Sequence, residues 1–264
     1  MKMWSGRFRQ PLDPDFERWQ RSFDFDRRLL SHELAASSAH ARALKGAGVL
    51  DSAELIAILR GLEQIAEQAA SSPAFLEDEE AEDVHHFVEK KLVSLIGDVG
   101  YKLHSGRSRN EQIATDLRLY VRAAIDQIRV DLATWCSALL DRAQQAGNAA
   151  MPAYTHLQRA EPVLVSHWLL AYIEMFLRDA DRLTDCRKRL NVCPLGAGAV
   201  AGATLPLDRR SMAADLIFDQ PTANSLDATS DRDFMVEFVN TLGLLALHLS
   251  RWAEEMVLFS TQEY

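Results

Sequence analysis

Cysteine is scarce in this chain. Three residues, Cys136, Cys186 and Cys193, make an odd number, and no two have the C-x-x-C spacing. A disulfide framework and a thiolate zinc site are both disfavoured, and free thiols in a reducing compartment are expected. A long apolar run is also missing. The best stretch, residues 163 to 177, is broken by Ser166, His167 and Glu174, too short and too polar to span a bilayer. The opening residues, MKMWSGRFRQPLDPD, contain no apolar signal segment. These absences predict a cytoplasmic, soluble protein. An excess of basic charge is lacking too: 29 Lys and Arg stand against 38 Asp and Glu, for a formal net charge of −9. Such a balance argues against a nucleic-acid footprint, and Arg187-Lys188-Arg189 reads as a solvated helix end. There is no G-x-G-x-x-G after a strand, no G-K-[ST], no H-E-x-x-H and no fixed-period repeat.

What is present is helical periodicity, with little strand-like alternation. Residues 1–26, rich in Pro, Asp and aromatics, read as an extended arm. A helix is expected from about Arg27 to Lys45, closed by Gly46-Ala47-Gly48. Asp51 and Glu54 form a capping-box pattern for a second helix to about Ala70. A third follows the acidic run 77–83 and ends at Gly97. Ile113, Leu117, Tyr120, Ala124, Ile128, Leu132, Trp135 and Leu139 recur at steps of three or four, the mark of one long helix. Pro152 ends this region and Pro162 suits the first turn of another long helix, to about Leu190. Asp208 caps a short helix. Phe238, Leu242, Leu245, Leu249, Trp252, Met256 and Phe259 make a heptad seam. The fold class expected is all-α, with an N-terminal arm and helical domain over 1–105 and the long helices of a central bundle over 106–264. Apolar stripes on more than one face predict packing against further copies of the chain.

Three polar clusters invite chemistry. Residues 102–116, KLHSGRSRNEQIATD, place Arg107, Arg109 and Asn110 before a helix. Guanidinium forks and amide donors at a helix N-terminus suit an anion, although an ordinary solvated loop has the same composition. Residues 151–162, MPAYTHLQRAEP, hold Thr155, His156 and Gln158. Histidine moves protons near neutrality, but a lone loop histidine is more often merely exposed. In Glu82-Asp83-Val84-His85-His86 the ligand spacing of a helical metal site is absent, so Asp83 and His85 are read as capping and orienting a helix. The glycine-rich 196–202 reads as a tight connection where helices or subunits approach closely.

Taken together, WSGRF at 4–8, EDVH at 82–85, KLHSGRSRNEQIATDLRL at 102–119, MPAYTHLQRAEPV at 151–163, PLGAGAVAGATLPLDR at 194–209 and NSLDATSDRDF at 224–234 resemble argininosuccinate lyase, in the aspartase/fumarase superfamily. The resemblance covers essentially the whole chain. It implies reversible β-elimination of argininosuccinate to arginine and fumarate, with no metal or organic cofactor. It further implies a homotetramer whose active sites are shared between subunits. Site roles carry over by position: Ser22 and Asp26 toward the amino-acid part of the substrate, Arg109 and Asn110 on its carboxylates, Thr155 in contact with it and Gln158 in support. His156 is implied as the acid for the leaving nitrogen or as an orienting group, and Asp83 and His85 are supporting residues. Departures are Glu111 for the usual Asp, Ala153 for the usual Gly and Glu161 for a frequent Gln. The family's GSSxMPxKKNP loop, which carries the base serine, has no counterpart in these 264 residues. An N-terminal portion without appreciable activity of its own is therefore expected. Adenylosuccinate lyase and a non-catalytic, crystallin-like assembly protein are the alternatives.

Overall fold

A computed structural model describes residues 13–78 and 80–262 of the chain. By contacts the chain divides into two compact units, residues 1–117 with 192–230, and residues 118–191 with 231–264.

In the first unit, Pro14–Gln20 forms α1 and Phe23–Asp26 forms α2. This corrects the extended arm for the residues described; those before Asp13 lie outside them. Asp13 explains the difference, since its carboxylate accepts from the backbone N–H groups of Asp15 and Phe16 and Pro14 is preset for a first helical turn. Leu30–Gly46 is α3 and Ser52–Ser71 is α4. The capping box at the start of α4 is formed in both directions: Glu54 N–H donates to Asp51 at 2.8 Å and Asp51 N–H to Glu54 at 3.0 Å. Val84–Ile96 is α5. Phe23 stacks on Phe87 with ring centroids 4.7 Å apart, and Phe75 meets Phe87 edge-on at 5.5 Å. Leu44, Ile58, Leu62, Ile65 and Leu92 complete this core. Each such side chain contributes about 1.5–3 kcal/mol through burial. Gly61 lets α4 lie close on α5, because a Cβ there would sit 2.6 Å from Leu92 Cδ1.

Arg109–Ala146 is α6, a helix of 38 residues whose first turns belong to the first unit. Val192–Cys193, here β3, pairs in parallel with Gln220–Pro221, here β4. Between them lies Arg209–Asp215, α8, capped by Asp208 as expected, and Ser225–Ser230, α9, follows.

The second unit holds the rest of α6 and an antiparallel hairpin, Ala150–Thr155 (β1) with Gln158–Leu164 (β2). It also contains Val165–Leu190 (α7) and Asp233–Phe259 (α10). The hairpin replaces the expected loop, and Pro162 starts no helix; it pairs with Pro152 across the ribbon. A two-stranded ribbon consists of edges only, where a residue without an N–H is tolerated. α7 packs on α10 around Tyr172, Phe176 and Leu183. Trp168 stacks on Trp252 at 5.2 Å, and Trp135 meets Trp252 edge-on at 6.1 Å. Arg187-Lys188-Arg189 is not simply a solvated end, for Arg187 holds Asp126 and Arg189 holds Glu237. Among the described residues no disulfide forms. Among the described residues, no helix is long and apolar enough to cross a membrane.

Candidate functional site

Most of the polar residues singled out before residue 117 converge in the first unit. Ser22 Oγ donates to Asp26 Oδ2 at 2.6 Å, and the backbone N–H of Val84 donates to Asp26 Oδ1 at 3.0 Å. Asp26 therefore ties α2 to the start of α5. Burial, and then the neighbouring Asp83 charge, raise its carboxyl above the ordinary range, opposed by the Ser22 hydrogen bond. Asp83 caps α5 by accepting from His86 N–H at 2.7 Å, and its Oδ1 also accepts from Arg109 Nη1. The capping role expected of Asp83 is met. His85 does not cap; it turns inward.

α6 begins at Arg109, one turn earlier than the apolar period indicated. The reason is local. Ser108 C=O accepts from Gln112 N–H, Ser108 Oγ accepts from Asn110 N–H, and Ser108 N–H donates to Glu111. A serine followed three residues later by a glutamate is a helix start. Arg109 and Asn110 thus stand in a helix's first turn rather than in a loop. Arg109 Nε is buried without a hydrogen-bond partner. Asn110 Nδ2 reaches Ala199 C=O at 3.4 Å. Glu111, the family's usual Asp lengthened by a methylene, also accepts from the N–H of Gly196. Burial raises its carboxyl, and the backbone donors of Ser108, Gly198 and Gly196 oppose that. The glycine-rich turn needs its glycines here. At Gly198, φ is +64° and a Cβ would lie 2.4 Å from Gly202 O.

Beneath this surface is a buried polar group that pattern reading did not single out. Glu33 on α3 accepts from Ser37 Oγ at 2.6 Å, from Gln112 Nε2 at 3.2 Å and from His85 Nδ1 at 2.9 Å. Arg107 Nη2 lies 3.8 Å from Glu33, and Arg107 Nη1 donates to Ser37 Oγ at 2.9 Å. Asp116 Oδ2 is 3.7 Å from His85 Nδ1. Burial alone would raise the Glu33 carboxyl, but the donors beside it, His85 and Arg107, outweigh it and hold the group well below the ordinary carboxylate range. His40 Nε2 faces Ser105 C=O at 3.0 Å, and burial followed by the Arg107 charge lowers it to about 3, so this ring is neutral. A small cleft against the cluster is lined by Glu33, His85, Glu89, His104, Arg107 and Arg109. The available signal was periodic: Glu33, Ser37 and His40 share one face of α3, as Gln112 and Asp116 share one of α6. Metal-ligating atoms of Glu33, His85 and Asp116 lie within 4.8 Å of one another. Glu33 turns its oxygens to Ser37, Gln112 and His85 rather than to a shared centre.

Thr155, His156 and Gln158 lie in the second unit, at the tip of the hairpin, and all three are exposed. Thr155 pairs with Gln158, leaving His156 and Leu157 as the two turn residues, with φ of +54° and +59°. Positive φ at both places is the type I′ turn that suits a twisted hairpin, and it normally selects Asn-Gly. Ala153, where the family usually has Gly, stands at the irregularity of β1 and has no positive φ, so the alanine is not strained there. Leu157, like His156, holds a left-handed conformation that a side chain disfavours. Leu157→Gly is expected to raise stability by about 0.5–1 kcal/mol, the left-handed penalty removed less the entropy added. Thermal unfolding checks this, and a lower midpoint would contradict it.

A family model described as lyase matches residues 6–264. The chain is 63% identical over 264 residues to the argininosuccinate lyase of Koribacter versatilis, covering all of this chain and 56% of that protein. It is 61% identical over 269 residues to the argininosuccinate lyase of Acidobacterium capsulatum, covering all of this chain and 55% of that one. The chain thus spans about half the length of the curated relatives it matches. Among solved structures, a variant of EDDS lyase with bound fumarate superimposes with a TM-score of 0.81 at 29% identity, over 97% of this chain and 51% of that chain.

Proposed function

The chain belongs to the lyase family, and from that premise we propose that it is a portion of an argininosuccinate lyase. That enzyme is a carbon–nitrogen lyase splitting argininosuccinate reversibly into arginine and fumarate, in arginine biosynthesis and the urea-cycle reaction. The observation that carries this reading is the likeness of the whole 264-residue chain to proteins of that name, at 63% and 61% identity.

In this reading a base takes the proton next to a substrate carboxylate, and fixed donors stabilise the charge that develops there. Arg109 and Asn110, in the first turn of α6, grip the carboxylates; the unpartnered Arg109 Nε and the helix N-terminus support that role. Ser22 and Asp26 position the amino-acid part. Thr155 contacts the substrate with Gln158 in support, and His156 protonates or orients the leaving nitrogen. Asp83 holds Arg109, and His85 supports from below. No cofactor is invoked, and the substrates are small molecules, with neither nucleic acid nor membrane as partner. The working enzyme is a cytoplasmic homotetramer with shared sites. Exposed apolar residues along α10, among them Val239, Leu247 and Val257, support association of the long helices with other copies. The division into a helical domain over 1–105 and a bundle over 106–264 is part of the same proposal.

The base serine belongs to a loop absent from these residues. The 264-residue chain by itself is therefore expected to release no appreciable fumarate from argininosuccinate. Co-expressed with a fragment bearing the GSSxMPxKKNP loop, it is expected to gain activity, and adenylosuccinate should be inert. Ultraviolet absorbance of fumarate reads both arms. A complemented enzyme that cleaved adenylosuccinate in preference would overturn the reading.

A further inference from the structure

We infer that Glu33 and Asp116 are a buried acid pair holding a single proton, on Asp116, and that the pair positions His85 with Nδ1 protonated and Nε2 presented to the cleft as an acceptor. The inference rests on the proposed function only for what enters the cleft. The protonation pattern is a property of the chain.

Geometry carries it. Asp116 and Glu33 are 0% and 1% exposed, and both Asp116 oxygens are buried with no hydrogen-bond partner. Two carboxylate oxygens without any donor are costly if charged. A proton on Asp116 removes the charge and supplies the pair with a donor for which Glu33 has acceptor capacity. The charged and titratable groups acting on Asp116 are Glu33 on α3, His85 on α5, Asp26 on α2 and Arg107 ahead of α6. With Glu33 ionised against Arg107, a second buried anion would find no further guanidinium. Burial, and then the Glu33 charge, accordingly push the Asp116 carboxyl up, with Arg107 opposing.

The rival arrangement has both carboxylates ionised around a doubly protonated His85. It fits the distances less well. Nδ1 is 2.9 Å from Glu33 but 3.7 Å from Asp116, beyond hydrogen-bond range, and Nε2 makes no hydrogen bond among the described residues. The ring is 5% exposed, and its one hydrogen bond, at Nδ1, leaves a second ring proton without an acceptor. Glu33 takes the Nδ1 proton, as an outer-shell carboxylate takes that of a functional histidine, and so selects the tautomer. The remaining nitrogen, on a ring that lines the cleft together with Arg107 and Arg109, accepts from an N–H or O–H group. Glu33 and Asp116 are positioning residues in this scheme.

Infrared and ¹⁵N spectra of the 264-residue chain test it without any lyase assay. At neutral pH the wild type should show the carbonyl stretch of an undissociated carboxylic acid, lost in Asp116→Asn. In histidine-labelled protein, with His85→Gln giving the assignment, the His85 ring should be neutral and Nδ1-protonated. Glu33→Gln should let the Nε2-protonated tautomer compete, a change that a purely packing role would not produce. Because a raised carboxyl pKa lends stability below its unfolded value and loses it as pH rises through the folded one, the wild-type thermal midpoint should fall over that range. Asp116→Asn should flatten this slope. An imidazolium His85 with no acid carbonyl band, or stoichiometric Zn²⁺ binding abolished by Asp116→Asn, would overturn the inference. The wild-type spectra decide even if a variant fails to fold.

Discussion

Glu33→Ala is expected to destabilise the chain by about 3–5 kcal/mol, the usual cost of removing one partner from a buried charged group. The loss exceeds that of the side chain itself. Ser37 Oγ, Gln112 Nε2 and His85 Nδ1 all lose the acceptor they share, and Arg107 keeps its charge with the nearest carboxylate gone. Four elements meet at this carboxylate: α3, α5, the segment before α6, and α6 itself. Circular-dichroism denaturation curves, extrapolated to water, measure the change. A loss below about 1 kcal/mol, the range of a solvated pair, would show that the cluster is open to water. The pH dependence has a definite sign. The Glu33 carboxyl is held below its ordinary 4.5 in the folded chain, so its stabilisation is present above that value and fades as pH falls toward the folded one. The variant should therefore lose part of the acid sensitivity of the wild type.

The second large effect concerns activity. In an enzyme supplied with the serine loop, Arg109→Ala should lower kcat/KM for argininosuccinate by about 10²–10³-fold, the scale of losing a fixed donor to developing charge. Arg109→Lys should restore little, because an ammonium cannot offer the planar fork. Folding should survive. Asp83 keeps its hydrogen bond from His86 N–H, so the cap of α5 remains when the Arg109 contact is lost. Substrate affinity unchanged by Arg109→Ala would remove the carboxylate-gripping role.

The two effects differ in how they could be anticipated. Arg109 stands in a stretch that draws notice, since two arginines and an asparagine ahead of a helix suit an anion, although an ordinary loop has the same composition and only the ordered motifs favour the first. Glu33 draws no such notice. It reads as one of the many acids of an acidic chain, and its partner His85 lies 52 residues away. The same holds for the hairpin. Its prolines are helix punctuation along the chain, and become strand residues only when Pro152 meets Pro162.

The sequence by itself determined what is local. The caps at Asp51 and Asp208 and the long apolar periods are written within a few residues, because a helix start is satisfied by side chains three positions away. The ordered motifs, read together, likewise carried the family. Tertiary structure alone decided which polar residues are buried, which of Arg109's donors are already engaged, and that His156 sits on a positive-φ turn. Burial and pairing depend on segments far apart in the chain, and a charged residue looks the same in sequence whether water or another carboxyl lies beside it.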